Sequence, residues 1–220
     1  MTQEMMRSFE ELRRVLYSAV VCDALDGLGF PNQSPRLPFP IRTAEGVLFG
    51  RCRTTLWEEV SEEDSNPYEK ELIALDLCQP DEVLICAAAG SMRSGIWGEL
   101  LSTAAMNRGC VGAIVDGAVR DVAQMHAMGF HVIARGTCVC DSKNRQRVSE
   151  YNVTVEIGGV PIHNGDIIIG DCDGLVVIPQ KVERAVLSAA WKKVHDENRT
   201  RDAIRGGMGA QEAYDRFGVL

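Results

Sequence analysis

The sequence predicts a single α/β domain, and two stretches decide it. Between Gly98 and Arg135 the apolar periodicity alternates: Leu100, Leu101, Ala104 and Ala105 recur at helical spacing before Gly109, Val111 to Val115 is a short apolar run, and a second helix and strand follow. Beyond Arg135 the pattern turns to strand, turn, strand, with Gly158-Gly159 between two apolar runs supplying the positive φ angles that a hairpin turn needs. With 220 residues, 45% of them hydrophobic, the chain can bury one generous core, and residues 1–220 are read as one domain.

Taken in order, Phe9, Leu12, Leu16, Ala19 and Val20 keep helical spacing and predict one amphipathic helix over 9–20, with Asp23 capping a short second helix that Gly29 and Pro31 end. These N-terminal helices occupy residues 5–29, and the Pro-rich stretch 32–40 is a loop. The core spans 45–179: a strand over 45–56, a solvated acidic loop over 58–64, a helix over 68–77, a turn at Pro80-Asp81 and a strand over 82–88. Residues 90–95 read as a flexible glycine loop ahead of a helix, a place where N–H groups can meet an anion. After the hairpin come strands over 166–170 and 175–178. Asp171-Cys172-Asp173-Gly174 between them has the look of a calcium-loop fragment but lacks the later glutamate, so it reads as a turn. The C-terminal helix, 181–205, carries Val182, Val186, Ala189, Ala190 and Val194 on one face, with Glu197 continuing that stripe. A carboxylate there is either a helix-end surface group or one that points into a neighbouring subunit.

Charge and composition exclude several functions. A net charge of −8 argues against a nucleic-acid backbone binder but leaves room for a small anion at a local arginine. The first twelve residues lack the apolar centre of a signal peptide, and no apolar run approaches the ~20 residues that span a bilayer, so a soluble, cytoplasmic protein without membrane contact is expected. The eight cysteines contain no C-x-x-C pair and read as reduced small hydrophobes, Cys138-x-Cys140 being the one close pair. His126, His131, His163 and His195 show no zinc-ligand spacing.

The sharpest chemistry is Asp116-Gly117-Ala118-Val119-Arg120-Asp121, an acid, a base and a second acid at the carboxyl end of a strand, where open sheets collect ligands. The arginine fork suits a carboxylate, and an aspartate is a hard oxygen ligand for Mg²⁺ or Mn²⁺. The same residues are also consistent with a structural Arg–Asp pair in which Asp121 caps a helix.

The segment from Gly98 to Asp121, G-E-L-L-S-T-A-A-x-x-x-G-x-x-G-A-I-V-D-G-A-V-R-D, resembles the signature of the RraA-like family. The resemblance extends to Ala134-Arg135-Gly136, to residues 155–160 and to residues 174–179. That family includes class II pyruvate aldolases acting on 4-hydroxy-4-methyl-2-oxoglutarate and 4-carboxy-4-hydroxy-2-oxoadipate, and protein inhibitors of ribonuclease E. The resemblance implies an α/β/β sandwich of the swivelling phosphohistidine type, assembled as homotrimers or homohexamers with sites between subunits. It implies substrate binding by Gly98, Glu99, Leu100, Leu101 and Arg120, metal binding by Asp121, and a further carboxylate, Glu197, from an adjacent subunit. Glu99 stands where the aldolases usually have aspartate. The implied reaction is retro-aldol cleavage of a 4-hydroxy-2-oxo diacid to pyruvate, with oxaloacetate decarboxylation as a side activity and water polarised by Glu99 or Glu197 moving the proton. The implied alternatives are a non-catalytic regulator of ribonuclease and a lyase for another hydroxy-keto acid.

Overall fold

A computed structural model describes residues 7–219, and its sheet is laid out around one long strand, β2 (Leu48–Glu59). One edge of β2 pairs in parallel with β3 (Glu82–Gly95). The other edge is divided: its first half pairs antiparallel with β9 (Ile167–Gly170), its second half antiparallel with β6 (Gln146–Tyr151). Beyond β3 the parallel ladder continues through β4 (Gly112–Val119) and β5 (His131–Thr137) to a short antiparallel edge, β1 (Ile41–Arg42), while β9 pairs β10 (Leu175–Ile178) at the opposite end. Strands β7 (Val155–Ile157) and β8 (Val160–Ile162) form the separate hairpin that the double glycine predicts, with Gly158 at φ +57° and Gly159 at φ +79°.

Side chains of the central strands alternate between two cores. Val83, Ile85 and Ala87 face the hairpin side, where Ile157, Ile162, Ile168 and Val177 close over them. Leu84, Cys86 and Ala88 face helices α3 (Glu69–Asp76), α4 (Glu99–Asn107) and α5 (Val122–Met128). At the antiparallel end the helical side is covered by α1 (Phe9–Val15), α2 (Ser18–Gly27) and α6 (Glu183–Arg205), whose Leu12, Val20, Leu25, Val186 and Ala190 pack on Phe49 and Ile169. Helices, a curled mixed sheet and a second β layer give the α/β/β sandwich. Gly112 marks how tightly the ladder is drawn together, since a Cβ there would lie 2.4 Å from the His131 carbonyl oxygen.

Several local expectations are corrected. The single helix over 9–20 is broken: Leu16 and Tyr17 take extended backbone, and α2 starts afresh at Ser18. The cause is a cap from far along the chain. Asp171, in the turn between β9 and β10, accepts from the Ser18 N–H at 2.7 Å and from Ser18 Oγ at 2.6 Å, so the start of α2 is satisfied there. Asp23, the expected cap, lies inside α2. Residues 5 and 6, where the N-terminal helices were expected to begin, lie outside the described residues.

Residues 90–95 are not a free loop. After a bulge at Ala89 (φ +50°) and Gly90 (φ +74°) the strand resumes, Ser91 pairing with Gly117 and Gly95 with Ala118, because ladder hydrogen bonds replace solvent for these backbone groups. Asp116 to Val119 likewise belong to β4, and the buried Asp116 pairs with Arg135 at 2.9 Å. Strand β6 and a last helix, α7 (Ala210–Phe217), were not anticipated. All eight cysteines are free thiols. No described helix is long and apolar enough to cross a membrane.

Asp171→Ala removes the remote cap of α2 and orphans two donors of Ser18. It is expected to cost about 2 kcal/mol, read as a melting temperature lowered by roughly 4–8 °C. Asp23→Ala, which removes only a surface pair with Lys193, should shift melting by no more than about 2 °C.

Candidate active site

The site forms where β4 runs out and α4 begins. The Arg120 N–H donates to the Trp97 carbonyl at 2.9 Å, fixing the end of β4 against the residues that lead into α4. Within that lead the Trp97 indole N–H donates to Ser102 Oγ at 2.9 Å, and Ser102 Oγ donates to the Gly98 carbonyl at 2.9 Å. The crossing is tight at Gly98, where a Cβ would sit 2.6 Å from Asp121 Oδ2 and 3.2 Å from Arg120 Cγ and could be housed only by moving the Asp121 carboxylate.

Asp121 has left-handed backbone (φ +56°, ψ +34°), a conformation that costs a non-glycine residue on the order of 1–2 kcal/mol. It stands at the cap position of α5 but makes no side-chain bond to that helix. Its Oδ2 instead accepts from the Glu99 N–H, the first of α4, at 3.3 Å. The reading of Asp121 as a cap for its own helix is therefore corrected: the strained backbone turns the carboxylate towards the next helix. Glu99, Leu100 and Leu101 supply the first N–H groups of α4, for which a helix has no internal acceptor and where its dipole is positive. A cavity of about 260 Å³ beside this pair is lined by Arg120, Asp121, Val122, Thr137, Cys138 and Val139.

Two acids flank the Arg120 guanidinium. Nη2 lies 2.8 Å from Asp141 Oδ2, and Nε lies 3.9 Å from Asp121 Oδ2. Asp141 Oδ1 in turn accepts from the Tyr68 hydroxyl at 2.6 Å and from the Lys143 N–H at 2.7 Å. Burial opposes ionisation of Asp141, but these two donors and Arg120 outweigh it and hold its pKa below the usual value. Burial, then the bond to Asp141, pushes the Tyr68 phenol up to about 12. Glu71 on α3 is only 8% exposed, and its Oε2 has no hydrogen-bond partner. Burial first and the Asp141 charge second raise its pKa to about 8, so this carboxyl is largely neutral at pH 7.

The residues singled out from the sequence divide into two groups. Gly98, Arg120, Asp121 and the Glu99 N–H come together. The Glu99 carboxylate turns along its own helix and accepts from Thr103 Oγ1 at 2.9 Å, Leu100 is 77% exposed, and Leu101 packs against the helical core. Glu197 lies elsewhere in the chain: it accepts from the Tyr17 hydroxyl, neighbours Arg201 at 3.5 Å and Lys193 at 3.9 Å, and lines a separate cavity with Asp23, Thr200 and Ile204. Tyr68, Glu71 and Asp141 were missed, because no spacing rule connects a helix acid or phenol to a loop acid that only the fold brings near.

The space a Cβ would fill at Gly98 leaves the Asp121 carboxylate reachable, and the side chain is 41% exposed. Its hard oxygens fit Mg²⁺ or Mn²⁺ completed by water. Among the described residues one trio of ligand-type side chains lies mutually within 4.8 Å, namely Asp171, Cys172 and Asp173. There Asp171 is committed to Ser18 and the Asp173 N–H, in keeping with the turn read from the sequence.

An Arg-Asp pair at the junction of a parallel strand and a helix N-terminus, on an α/β/β sandwich, sets the class of protein. The chain belongs to the RraA-like family, described as Aldolase/RraA, which matches residues 18–177. A protein of Halalkalibacterium halodurans named "Putative 4-hydroxy-4-methyl-2-oxoglutarate aldolase" is 34% identical over 201 residues, covering 91% of this chain and 90% of that protein. A Shewanella oneidensis protein of the same name is 28% identical over 163 residues, 72% of this chain and 93% of its own. The crystal structure of Streptomyces coelicolor RraAS2, titled an unusual member of the RNase ES inhibitor RraA protein family, superimposes with a TM-score of 0.75 at 26% identity, covering 89% of this chain and 98% of that one.

Gly98→Ala should push the Asp121 carboxylate aside while leaving the fold intact, because the atom struck is the end of a side chain. The expected result is Mn²⁺ affinity weakened at least about tenfold by calorimetry, with melting moved by less than about 3 °C. Glu71→Gln tests the buried carboxyl. Its folded pKa lies above its unfolded one, so the native state retains a proton that the unfolded chain releases, and stability contributed below the unfolded pKa is lost as pH rises towards 8. The substitution should raise melting at pH 8 by roughly 3–6 °C and change little at pH 4.5; equal shifts at both would show that folding leaves the Glu71 pKa where it is in the unfolded chain.

Proposed function

We propose that the chain is a divalent-metal-dependent lyase that cleaves a 4-hydroxy-2-oxo diacid to pyruvate and a second oxo acid, and that decarboxylates oxaloacetate at the same site. The observation that carries this reading is that Arg120 and Asp121 line one cavity and that the start of α4 reaches them, the Glu99 N–H donating to Asp121. The names of the Halalkalibacterium and Shewanella relatives support it.

Mg²⁺ or Mn²⁺ held by Asp121 supplies Lewis acidity towards the 2-oxo group. Arg120, permanently charged, binds the substrate carboxylate and balances the negative charge that grows as the C3–C4 bond breaks and its electron pair enters the enolate. The Leu100 and Leu101 N–H groups donate to the enolate oxygen. Glu99 receives, through water, the proton of the 4-hydroxyl group that becomes the second oxo acid, and returns it through water to C3 of the enolate to give pyruvate. Oxaloacetate reaches the same enolate by loss of CO₂. Glu197, tied to Tyr17 within its own chain, serves this site only from a second copy, in a homotrimer or homohexamer.

The second reading, a non-catalytic regulator of a ribonuclease, has the RraAS2 likeness behind it. Pyruvate release from 4-hydroxy-4-methyl-2-oxoglutarate and from oxaloacetate, with Mg²⁺, Mn²⁺ or EDTA, separates the two. The lyase should need metal, lose about 10³-fold in kcat/KM on Arg120→Ala and be abolished by Asp121→Asn. Metal-independent inactivity of the wild type towards both acids, together with ribonuclease binding that survives Asp121→Asn, would establish the regulator instead.

A further inference from the structure

We propose that Asp141 is a positioning residue that sets the orientation of the Arg120 guanidinium towards its substrate, and that Tyr68 holds Asp141 in place for that task. The inference rests on reading Arg120 as the group that binds the substrate carboxylate, and it adds two residues that the sequence did not mark.

The two oxygens of Asp141 have separate duties. Oδ1 is fixed from two directions, by the Tyr68 hydroxyl at the start of α3 and by the Lys143 N–H of its own loop. Oδ2 is left facing Arg120 Nη2 at 2.8 Å. A carboxylate pinned on one oxygen presents the other in a single direction, and an arginine held at one outer nitrogen loses most of the freedom of its long side chain while its remaining N–H donors stay available. Asp121 does not perform this service: it lies 3.9 Å from Nε, and its Oδ2 serves the Glu99 N–H. Glu71, the other acid near the pair, is kept neutral by burial and does not compete for the guanidinium at pH 7.

A purely structural role is a poor account of the same contacts. Arg120 and Asp141 are 36% and 37% exposed, and ion pairs so wet contribute about 0–1 kcal/mol to folding. Misplacing a catalytic contact by about 1 Å costs on the order of 10²-fold in rate. Orientation of Arg120 is therefore where Asp141 has its main effect.

The test is a double-mutant cycle on pyruvate release, with Asp141→Asn and Tyr68→Phe measured in the wild-type and Arg120→Lys backgrounds. Asp141→Asn should lower kcat/KM by roughly 10–100-fold with melting shifted by less than about 3 °C. In the Arg120→Lys background it should change kcat/KM by less than about twofold. Tyr68→Phe should lose less, and combined with Asp141→Asn it should be no worse than Asp141→Asn alone. Equal losses in both backgrounds, or no loss in either, overturn the proposal. If the wild type releases no pyruvate the lyase reading fails, and the same cycle is read by calorimetry of oxalate, a planar analogue of pyruvate enolate, with Mg²⁺ present. Weakening by Asp141→Asn that disappears in Arg120→Lys then supports the proposal, whereas additive losses, or no oxalate binding by the wild type, overturn it.

Discussion

The divided edge of β2 is the constraint on which the rest of this molecule depends. One strand must satisfy β3 along one side and two different antiparallel partners, β9 and β6, along the other. A flat sheet cannot send two neighbours away from the same edge, so the sheet curls, and the hairpin of β7 and β8 closes over its inner face. The curl leaves helices on the outer face alone and frees the far ends of β3 and β4 to extend past the ladder. That extension, pairing Gly95 with Ala118 and Arg120 N–H with Trp97, is what brings a strand end to a helix start.

At that junction the chemistry follows from how closely the backbone passes. Gly98 is small for the benefit of Asp121, and Asp121 adopts a costly backbone for the benefit of α4. Strain of this kind survives only where the surroundings fix it on several sides, as Trp97, Ser102 and the end of β4 do here. Arg120 then stands between two carboxylates of different character: Asp121 is exposed and lightly bonded, and Asp141 is anchored by Tyr68. The first is free to take a ligand, and the second is not.

Much of this was readable along the chain wherever the cause was local. The helical spacing of α4, the apolar run of β4, the double glycine of the hairpin and the stripe of α6 each predicted the element found. The resemblance to the RraA-like family brought Arg120, Asp121 and the α4 N-terminus forward together. What stayed hidden had distant causes. Six residues with a single well-buried aliphatic, Val148, gave no sign of β6, and its buried Gln146 is satisfied only because Ser94 donates to it from β3. The bulge that lets β3 continue past Ala89 depends on a partner strand. The Tyr68–Asp141 pair joins residues 73 positions apart, beyond the reach of any motif.

The cap on α2 has a consequence for how the chain is made. Ser18 leaves the ribosome well before the carboxylate that satisfies its backbone, which follows 153 residues later. Until then the helix start has only water as a partner, and the apolar face of α2 has no strand of β9 or β10 to cover. The start of α2 must therefore wait for the turn between β9 and β10 before it consolidates, so an element made early is among the last to reach its final structure.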